Sequence, residues 1–290
     1  MHVTSGEAPA LATALRLGRV SNLPTVWTNV LAGTVLASGT VQSWRIGIVL
    51  LAMSLFYVGG MYLNDYFDRA IDAAERPERP IPAGDISAAT VALFGFAMLG
   101  AAILLMAATG IAAALTGVLL ALSIVLYDAF HKGNPGGPVI MGLCRALVYC
   151  GAAAAAAASV WSVTGTALGL LAYVAGITYA ARQESYNRVG NLWPLAVLMV
   201  PMVLASPALV QGVVAALVYV ALIGCAAYAI YLLARRPIPG AVPRAVGLLI
   251  AGISLVDAAL LASTGAIAPA LVASLGFPAT LFLQKHIAGT

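Results

Sequence analysis

Residues 46–72, IGIVLLAMSLFYVGGMYLNDYFDRAID, change from an uncharged, mostly apolar run to a segment with several charged residues. Residues 46–64 carry no formal charge, and this run is close to the roughly 20 apolar residues that a membrane-spanning helix needs. Asp65, Asp68 and Asp72 then follow at short intervals. The stretch therefore predicts a transmembrane helix that ends in a cluster of acids.

The composition extends this membrane prediction to the whole chain. Of the 290 residues, 62% are hydrophobic and only 8% are charged, whereas about a quarter of the residues in a soluble domain are charged. Such a chain cannot cover a water-facing surface, which excludes a soluble globular enzyme, and its low charge excludes intrinsic disorder. The basic residues are scattered singly between apolar runs, so the net charge of +4 does not indicate binding of nucleic acid.

Apolar runs of helical length predict ten transmembrane spans in one domain, which covers residues 1–290. Their approximate bounds are 21–40, 46–64, 87–108, 110–128, 138–160, 164–182, 191–206, 208–234, 243–263 and 266–284. Lysine and arginine follow the even-numbered spans, so the positive-inside rule places both termini and the longer polar loops in the cytoplasm. The seventh span is short and the tenth is interrupted. We therefore predict an all-α integral membrane protein, a polytopic bundle of nine to ten transmembrane helices.

The aspartates at the end of the second span have the chemistry of a metal site. Asp65, Asp68 and Asp72 lie at i, i+3 and i+7, on one face if the helix continues through them. Their mutual repulsion favours a cation, and carboxylate oxygens suit Mg²⁺. Prolines stiffen the next loop, which carries Arg76 and Arg79, and arginine forks match phosphate oxygens. The pattern indicates a diphosphate substrate, with a solvated helix end as the structural alternative.

The pattern NDxxDxxxD at residues 64–72, followed by RxxRPxxxG at residues 76–84, resembles the first aspartate-rich motif of the UbiA superfamily of intramembrane prenyltransferases. The stretches NDYFDRAIDAAERPERPIPAG, YDAFHK, MGLCRA and ARQE together resemble its EboC-like branch. The resemblance implies helices around a central chamber, where one or two Mg²⁺ ions hold a prenyl diphosphate. A small hydrophobic acceptor, usually aromatic, takes the prenyl group. The implied location is the lipid bilayer of the bacterial inner membrane, and the longer polar loops on the cytoplasmic side predict an active site at that face.

Residue chemistry and resemblance together give the candidate site residues. The predicted metal ligands are Asn64, Asp65, Asp68, Asp72 and Glu184, and the predicted catalytic residues are Asp65, Asp68, Asp72 and Lys132. The predicted diphosphate-binding residues are Asn64, Arg76, Arg79, Tyr127, Lys132, Arg145 and Arg182. Arg19 and Asn29 match a region where relatives line the acceptor pocket. Two structural alternatives stay open: Lys132 as a cytoplasmic anchor, and Arg145 as a partner of Asp128 or Glu184.

The loop at residues 182–190 departs from the family pattern. Relatives usually carry a second aspartate-rich motif here, whereas this loop has Glu184 as its only acid, with Arg182 nearby. A second Mg²⁺ is therefore an open question. An intramembrane terpene cyclase, and a non-catalytic transporter or scaffold with the same fold, are the alternative functions.

Overall fold

The structure, a computed structural model, describes residues 7–41, 43–182, 191–234, 240–287 and 289. All regular elements within these ranges are helices, which confirms the all-α prediction. The α-helices of the described chain are α1 (Glu7–Leu17), α2 (Leu23–Ser38), α3 (Ser43–Glu75), α4 (Ala88–Thr109), α5 (Ile111–Phe130), α6 (Gly137–Ala155), α7 (Thr164–Ala181), α8 (Met199–Ala205), α9 (Val213–Ala234), α10 (Ala241–Ser263), α11 (Ile267–Ser274) and α12 (Gly276–Gln284).

Nine helical segments in the described ranges are long and apolar enough to cross a membrane, so the chain is an integral membrane protein. They correspond to predicted spans two to ten. The first predicted span corresponds to α2, which has 16 residues and is shorter than a usual spanning helix. The seventh span consists of α8 between two 3₁₀ turns, and it contains three prolines, which remove backbone donors. The tenth is divided at Leu275 into α11 and α12.

Helix α3 continues beyond the predicted apolar span, residues 46–64, and through the aspartates. It has 33 residues and ends at Glu75 rather than near residue 64. The aspartates therefore lie on a continuous helix, as the one-face argument requires. The backbone N–H of Arg76 still bonds to the carbonyl of Asp72, at 2.8 Å, and Pro77 then ends the helix because proline has no N–H to donate.

The bundle is organised around two packed regions. Helix α10 is buried over most of its length and contacts α2, α7, α9, α11 and α12. Helix α3 packs against α4 and α5, while α6 packs against α2, α5 and α7. Helices α2 and α6 thus join the two regions, and the candidate site lies where they meet α3 and α5.

Glycine permits the close approach of α6 to α7. A Cβ atom on Gly142 would collide with the backbone carbonyl oxygen of Leu171, whereas a Cβ on Gly100 in α4 would meet nothing within 4 Å. We expect Gly142→Ala to lower the stability of the protein by about 1–3 kcal/mol, because the overpacked helices must move apart. Gly100→Ala should leave stability equal or slightly higher, because alanine favours helix. Thermal unfolding in detergent tests this, and equal midpoints for the two variants would contradict it.

Candidate active site

The three α3 aspartates are buried near one end of the bundle. The exposed fractions of Asp65, Asp68 and Asp72 are 6%, 5% and 2%. Buried carboxylates are costly unless they are paired and hydrogen-bonded. Their partners therefore define the electrostatics of the site.

Arg79 returns from the proline-stiffened loop to the aspartates. One of its guanidinium nitrogens, Nη1, lies 2.9 Å from Asp72 Oδ2 and 3.2 Å from Asp65 Oδ1. A single arginine thus joins two acids that are two helical turns apart on α3. The sequence placed Arg79 near these residues, and the structure shows the contact.

Arg19, between α1 and α2, reaches the same cluster from another part of the chain. Its Nη2 lies 3.0 Å from Asp65 Oδ1 and 3.4 Å from Asn64 Oδ1. The backbone of Arg19 is left-handed, with φ of 41°, a conformation that costs energy for a residue with a side chain. The sequence associated Arg19 with an acceptor pocket, whereas the structure brings it to the aspartates.

The end of α5 supplies the cation for Asp68. Lys132 Nζ lies 3.4 Å from Asp68 Oδ2, and His131 Nε2 lies 3.6 Å from the same oxygen. Burial lowers the pKa of the His131 imidazole from its ordinary value, although the charge of Asp68 opposes this shift. The ring of His131 stacks on Tyr127 with centroids 4.7 Å apart. Lys132 carries the positive charge at this position.

Asp128 is a further buried acid at the site. Its Oδ1 accepts a hydrogen bond from Asn64 Nδ2 at 3.2 Å, and its Oδ2 has no partner in the described part of the chain. Lys132 pairs with Asp68 and not with Asp128. A buried oxygen without a partner is costly, and it offers a ligand position for a cation or a polar substrate group.

The donor set fits a hard divalent cation. Four buried carboxyl groups lie close to three basic side chains; they are Asp65, Asp68, Asp72 and Asp128, with Arg19, Arg79 and Lys132. Oxygen ligands of this kind suit Mg²⁺. Within the described ranges, no three acidic, histidine or cysteine side chains already converge on one point. Each of the three α3 aspartates is instead bound to a basic side chain. Glu184, the remaining predicted ligand, lies outside the described residues.

Two predicted diphosphate-binding residues lie apart from the carboxylates. Arg76 is exposed just after α3. Arg182 donates to the carbonyl oxygens of Asn134 at 2.8 Å and His131 at 3.2 Å, so it holds the loop between α5 and α6. Through this loop it acts on the position of Lys132 rather than on the aspartates directly.

A cavity lies between α2, α3, α5 and α6, and Asp128 is the site aspartate that lines it. Tyr57, Tyr127, Asp128 and Arg145 contribute the polar groups of its wall, and the other lining residues are apolar, glycine or cysteine. The cavity is therefore suited to a hydrocarbon chain whose polar end lies near the aspartates.

Arg145 belongs to a buried polar network beside this cavity. It donates to Asn29 Oδ1 at 2.9 Å and to Thr25 Oγ1 at 3.2 Å. The amide of Asn29 donates to both carboxylate oxygens of Asp257, at 2.9 and 2.8 Å, and Tyr149 Oη donates to Asp257 Oδ1 at 2.6 Å. Arg145 therefore does not pair with Asp128. The sequence did not connect Asp257 to Arg145, although opposite charges inside spans often face each other.

Fold and site define a class of polytopic helical membrane protein, with buried aspartates at the end of an intramembrane cavity. Comparison with known families gives the particular family. The model of the UbiA prenyltransferase family matches residues 26–236, which is most of the chain. The chain therefore belongs to the UbiA prenyltransferase family.

Curated relatives share the name digeranylgeranylglyceryl phosphate synthase. The Methanothrix thermoacetophila protein is 32% identical over 124 residues, covering 42% of this chain and 46% of that protein. The Methanopyrus kandleri protein is 32% identical over 173 residues, covering 56% and 59%. The chain thus spans less than two thirds of the length of these relatives. Their names do not identify the EboC-like branch, which stays a prediction.

Solved structures have the same fold. A structure described as digeranylgeranylglyceryl phosphate synthase in membranes has a TM-score of 0.64 and 22% identity, covering 89% of this chain and 99% of that chain. A UbiA homologue from Archaeoglobus fulgidus, bound to GPP and Mg²⁺, has a TM-score of 0.54 and 14% identity, covering 94% and 99%. At these identities the likeness establishes the fold.

Proposed function

We propose that the protein is a Mg²⁺-dependent intramembrane prenyltransferase, which transfers a prenyl group from a prenyl diphosphate to a small acceptor. The observation that carries this proposal is the cluster of buried α3 aspartates, bound by Arg19, Arg79 and Lys132, at the end of an apolar cavity. Family membership and the Mg²⁺- and GPP-bound homologue from Archaeoglobus fulgidus support it.

The basic side chains can stabilise the departing diphosphate. Cleavage of the allylic C–O bond leaves both bonding electrons on the diphosphate and a carbocation on the prenyl group. Arg79 and Lys132, which bind these aspartates, would donate hydrogen bonds to the departing oxygens, in buried surroundings where such interactions are strong. The candidate ligands that would hold Mg²⁺ are Asn64, Asp65, Asp68 and Asp72, with Glu184 proposed for a second ion. When bound, Mg²⁺ supplies further charge stabilisation to the leaving group.

The cavity can protect the reactive prenyl group. Its wall includes Met53 and Phe56, each 1% exposed, together with other apolar residues. Water that entered would react with the carbocation, so a dry wall favours transfer over hydrolysis. A new bond then forms between the prenyl carbon and the acceptor, and the acceptor loses a proton.

Two acceptor classes follow from different observations. The shared name of the curated relatives describes a glyceryl phosphate with two geranylgeranyl groups, which supports a glyceryl phosphate acceptor. The resemblance to the superfamily supports an aromatic acceptor. We propose the glyceryl phosphate class first, because it rests on sequence identity with specific proteins. The bacterial inner membrane and the cytoplasmic orientation of the site are proposals from the resemblance and the charge pattern.

Turnover by purified protein in lipid nanodiscs tests the proposal. With Mg²⁺ and a panel from dimethylallyl to geranylgeranyl diphosphate, we expect diphosphate release and a prenylated product, detected by mass spectrometry, when geranylgeranylglyceryl phosphate or 4-hydroxybenzoate is added. EDTA should abolish both signals. Release without acceptor, with a cyclised product, would indicate a terpene cyclase. No Mg²⁺-dependent release with any substrate would contradict an enzymatic function and favour a transporter or scaffold.

A further inference from the structure

Arg145 is a cation in the wall of the cavity without a direct acidic partner. Among the residues that the structure describes, no carboxylate lies within 4 Å of its guanidinium; its hydrogen bonds go to the neutral side chains of Asn29 and Thr25. The guanidinium also lies 5.6 Å from the ring centre of Tyr57. A charge inside a membrane span is expensive and usually faces a polar cavity or a functional group.

The acid that balances the charge of Arg145 is Asp257, and the side chain of Asn29 lies between the two. Asp257 is fully buried, and its carboxylate accepts hydrogen bonds from the side-chain nitrogen Nδ2 of Asn29. The side-chain oxygen Oδ1 of Asn29 accepts a hydrogen bond from Arg145. Asn29 therefore holds the guanidinium in place while it separates the two charges. This arrangement fixes the orientation of Arg145, which also lines the cavity.

Arg145 lies too deep to share the position of the aspartates. It sits against Tyr57, which precedes Asp65 by eight residues on the continuous helix α3. At 1.5 Å per residue, this separation is about 12 Å along the helix axis. A diphosphate bound at Asp65 and Asp68 would therefore lie at a different level from Arg145, which favours another anion than the diphosphate as the ligand of this guanidinium.

We propose that Arg145 binds an anionic oxygen group of the acceptor, a phosphate or a carboxylate, inside the cavity. Asn29 and Thr25 are the positioning residues that hold its guanidinium, and Asp257 anchors Asn29. The planar fork of arginine suits either anion. The acceptor would then lie between Arg145 and the aspartates, with its nucleophile at the level of the allylic carbon. This inference rests on the proposed function, since it names the acceptor class of that same cavity.

Equilibrium binding separates this inference from catalysis. The full-length protein in nanodiscs is titrated without Mg²⁺ or prenyl diphosphate, so that turnover is not needed for a signal. Two matched pairs of probes distinguish the sources of the anion: geranylgeranylglyceryl phosphate with geranylgeranylglycerol, and 4-hydroxybenzoate with its methyl ester. We expect the anionic member of at least one pair to bind about 10- to 100-fold more tightly, as hydrogen bonds to a charged group predict. The preferred pair identifies the acceptor class.

Variants then test whether the tighter binding of the anionic probe, here called the anion preference, depends on Arg145. Arg145→Gln should remove it and leave binding of the neutral probes unchanged, while Arg145→Lys should keep part of it because the charge is retained. Arg45→Gln is the matched control: Arg45 is 20 residues before Asp65 on α3 and binds the carbonyl oxygen of Ala155 at 3.0 Å, far from the aspartates. It should retain the full preference.

The outcomes distinguish this inference from the proposed function. Equal binding of anionic and neutral probes by the wild-type protein would overturn the role of Arg145, whether or not the Gln variant folds. A preference that persists in Arg145→Gln would also overturn it. The two proposals can also fail separately. If anion-selective binding depends on Arg145 but the protein never releases diphosphate, the binding site for the acceptor is supported and only the transferase activity is contradicted.

Discussion

Replacement of Asp68 by asparagine is expected to reduce prenyl transfer by about 10²–10³-fold. The buried Asp68 carboxylate holds Lys132 and is a candidate Mg²⁺ ligand, so the variant loses a negative charge where the diphosphate and its cations must be organised. The loss is similar to that caused by removing one preorganised electrostatic group from an active site. Initial rates of diphosphate release at saturating Mg²⁺ measure it, and Asp65→Asn should behave alike.

The adjacent loop offers a matched control for this experiment. Asp85 is exposed and follows the same proline-containing segment, so Asp85→Asn removes one negative charge without touching the buried cluster. We expect its rate to stay within about twofold of wild type, since exposed charges contribute little. Equal rates for Asp68→Asn and wild type, with both proteins folded, would remove Asp68 from the proposed machinery.

Replacement of Asp257 by alanine is expected to destabilise the folded protein by about 3–5 kcal/mol. The change leaves the buried Asn29 amide and the Tyr149 hydroxyl without their acceptor, and it removes the negative charge nearest to Arg145. Loss of one member of a buried charged network has this order of cost. Equilibrium unfolding of detergent-solubilised protein measures the change.

Asp257→Asn is the control for shape and hydrogen bonding. Its amide oxygen can still accept from Asn29, so the expected loss is smaller than for Asp257→Ala. A stability of Asp257→Ala equal to that of wild type would show that the network contributes nothing to folding. It would also weaken the view that Asp257 holds Arg145 in place through Asn29.

Patterns local in the sequence predicted much of the molecule. Hydrophobic runs gave the positions of α3 to α7, α9 and α10, because a helix in lipid must satisfy its own backbone and present apolar side chains. The spacing of Asp65, Asp68 and Asp72 predicted a shared face, and α3 has that face because it continues to Glu75. The apolar span ends near residue 64, whereas the helix continues to Glu75, because hydrophobicity marks the part of a helix in lipid and not its full length.

Contacts between distant segments were not predictable from these patterns. Arg19 and Asp65 are 46 residues apart, and Asn29 and Asp257 are 228 residues apart. A single sequence shows that an isolated charge in a span needs a partner, but several partners satisfy that need equally well. The choice is made by helix packing, which brings α2 against both α6 and α10. Tertiary contacts also decide that Oδ2 of Asp128 is buried without a hydrogen-bond partner in the described part of the chain.

The central claim is that the α3 aspartates hold the metal and diphosphate of a prenyl donor. An experimental structure of the protein with Mn²⁺ and a non-hydrolysable prenyl diphosphate analogue tests it most directly, because anomalous scattering locates the metal. The account predicts an anomalous peak within about 2.0–2.3 Å of carboxylate oxygens from Asp65 or Asp68, with the prenyl chain in the cavity. A metal bound elsewhere, or an analogue bound without contact to these aspartates, would contradict it.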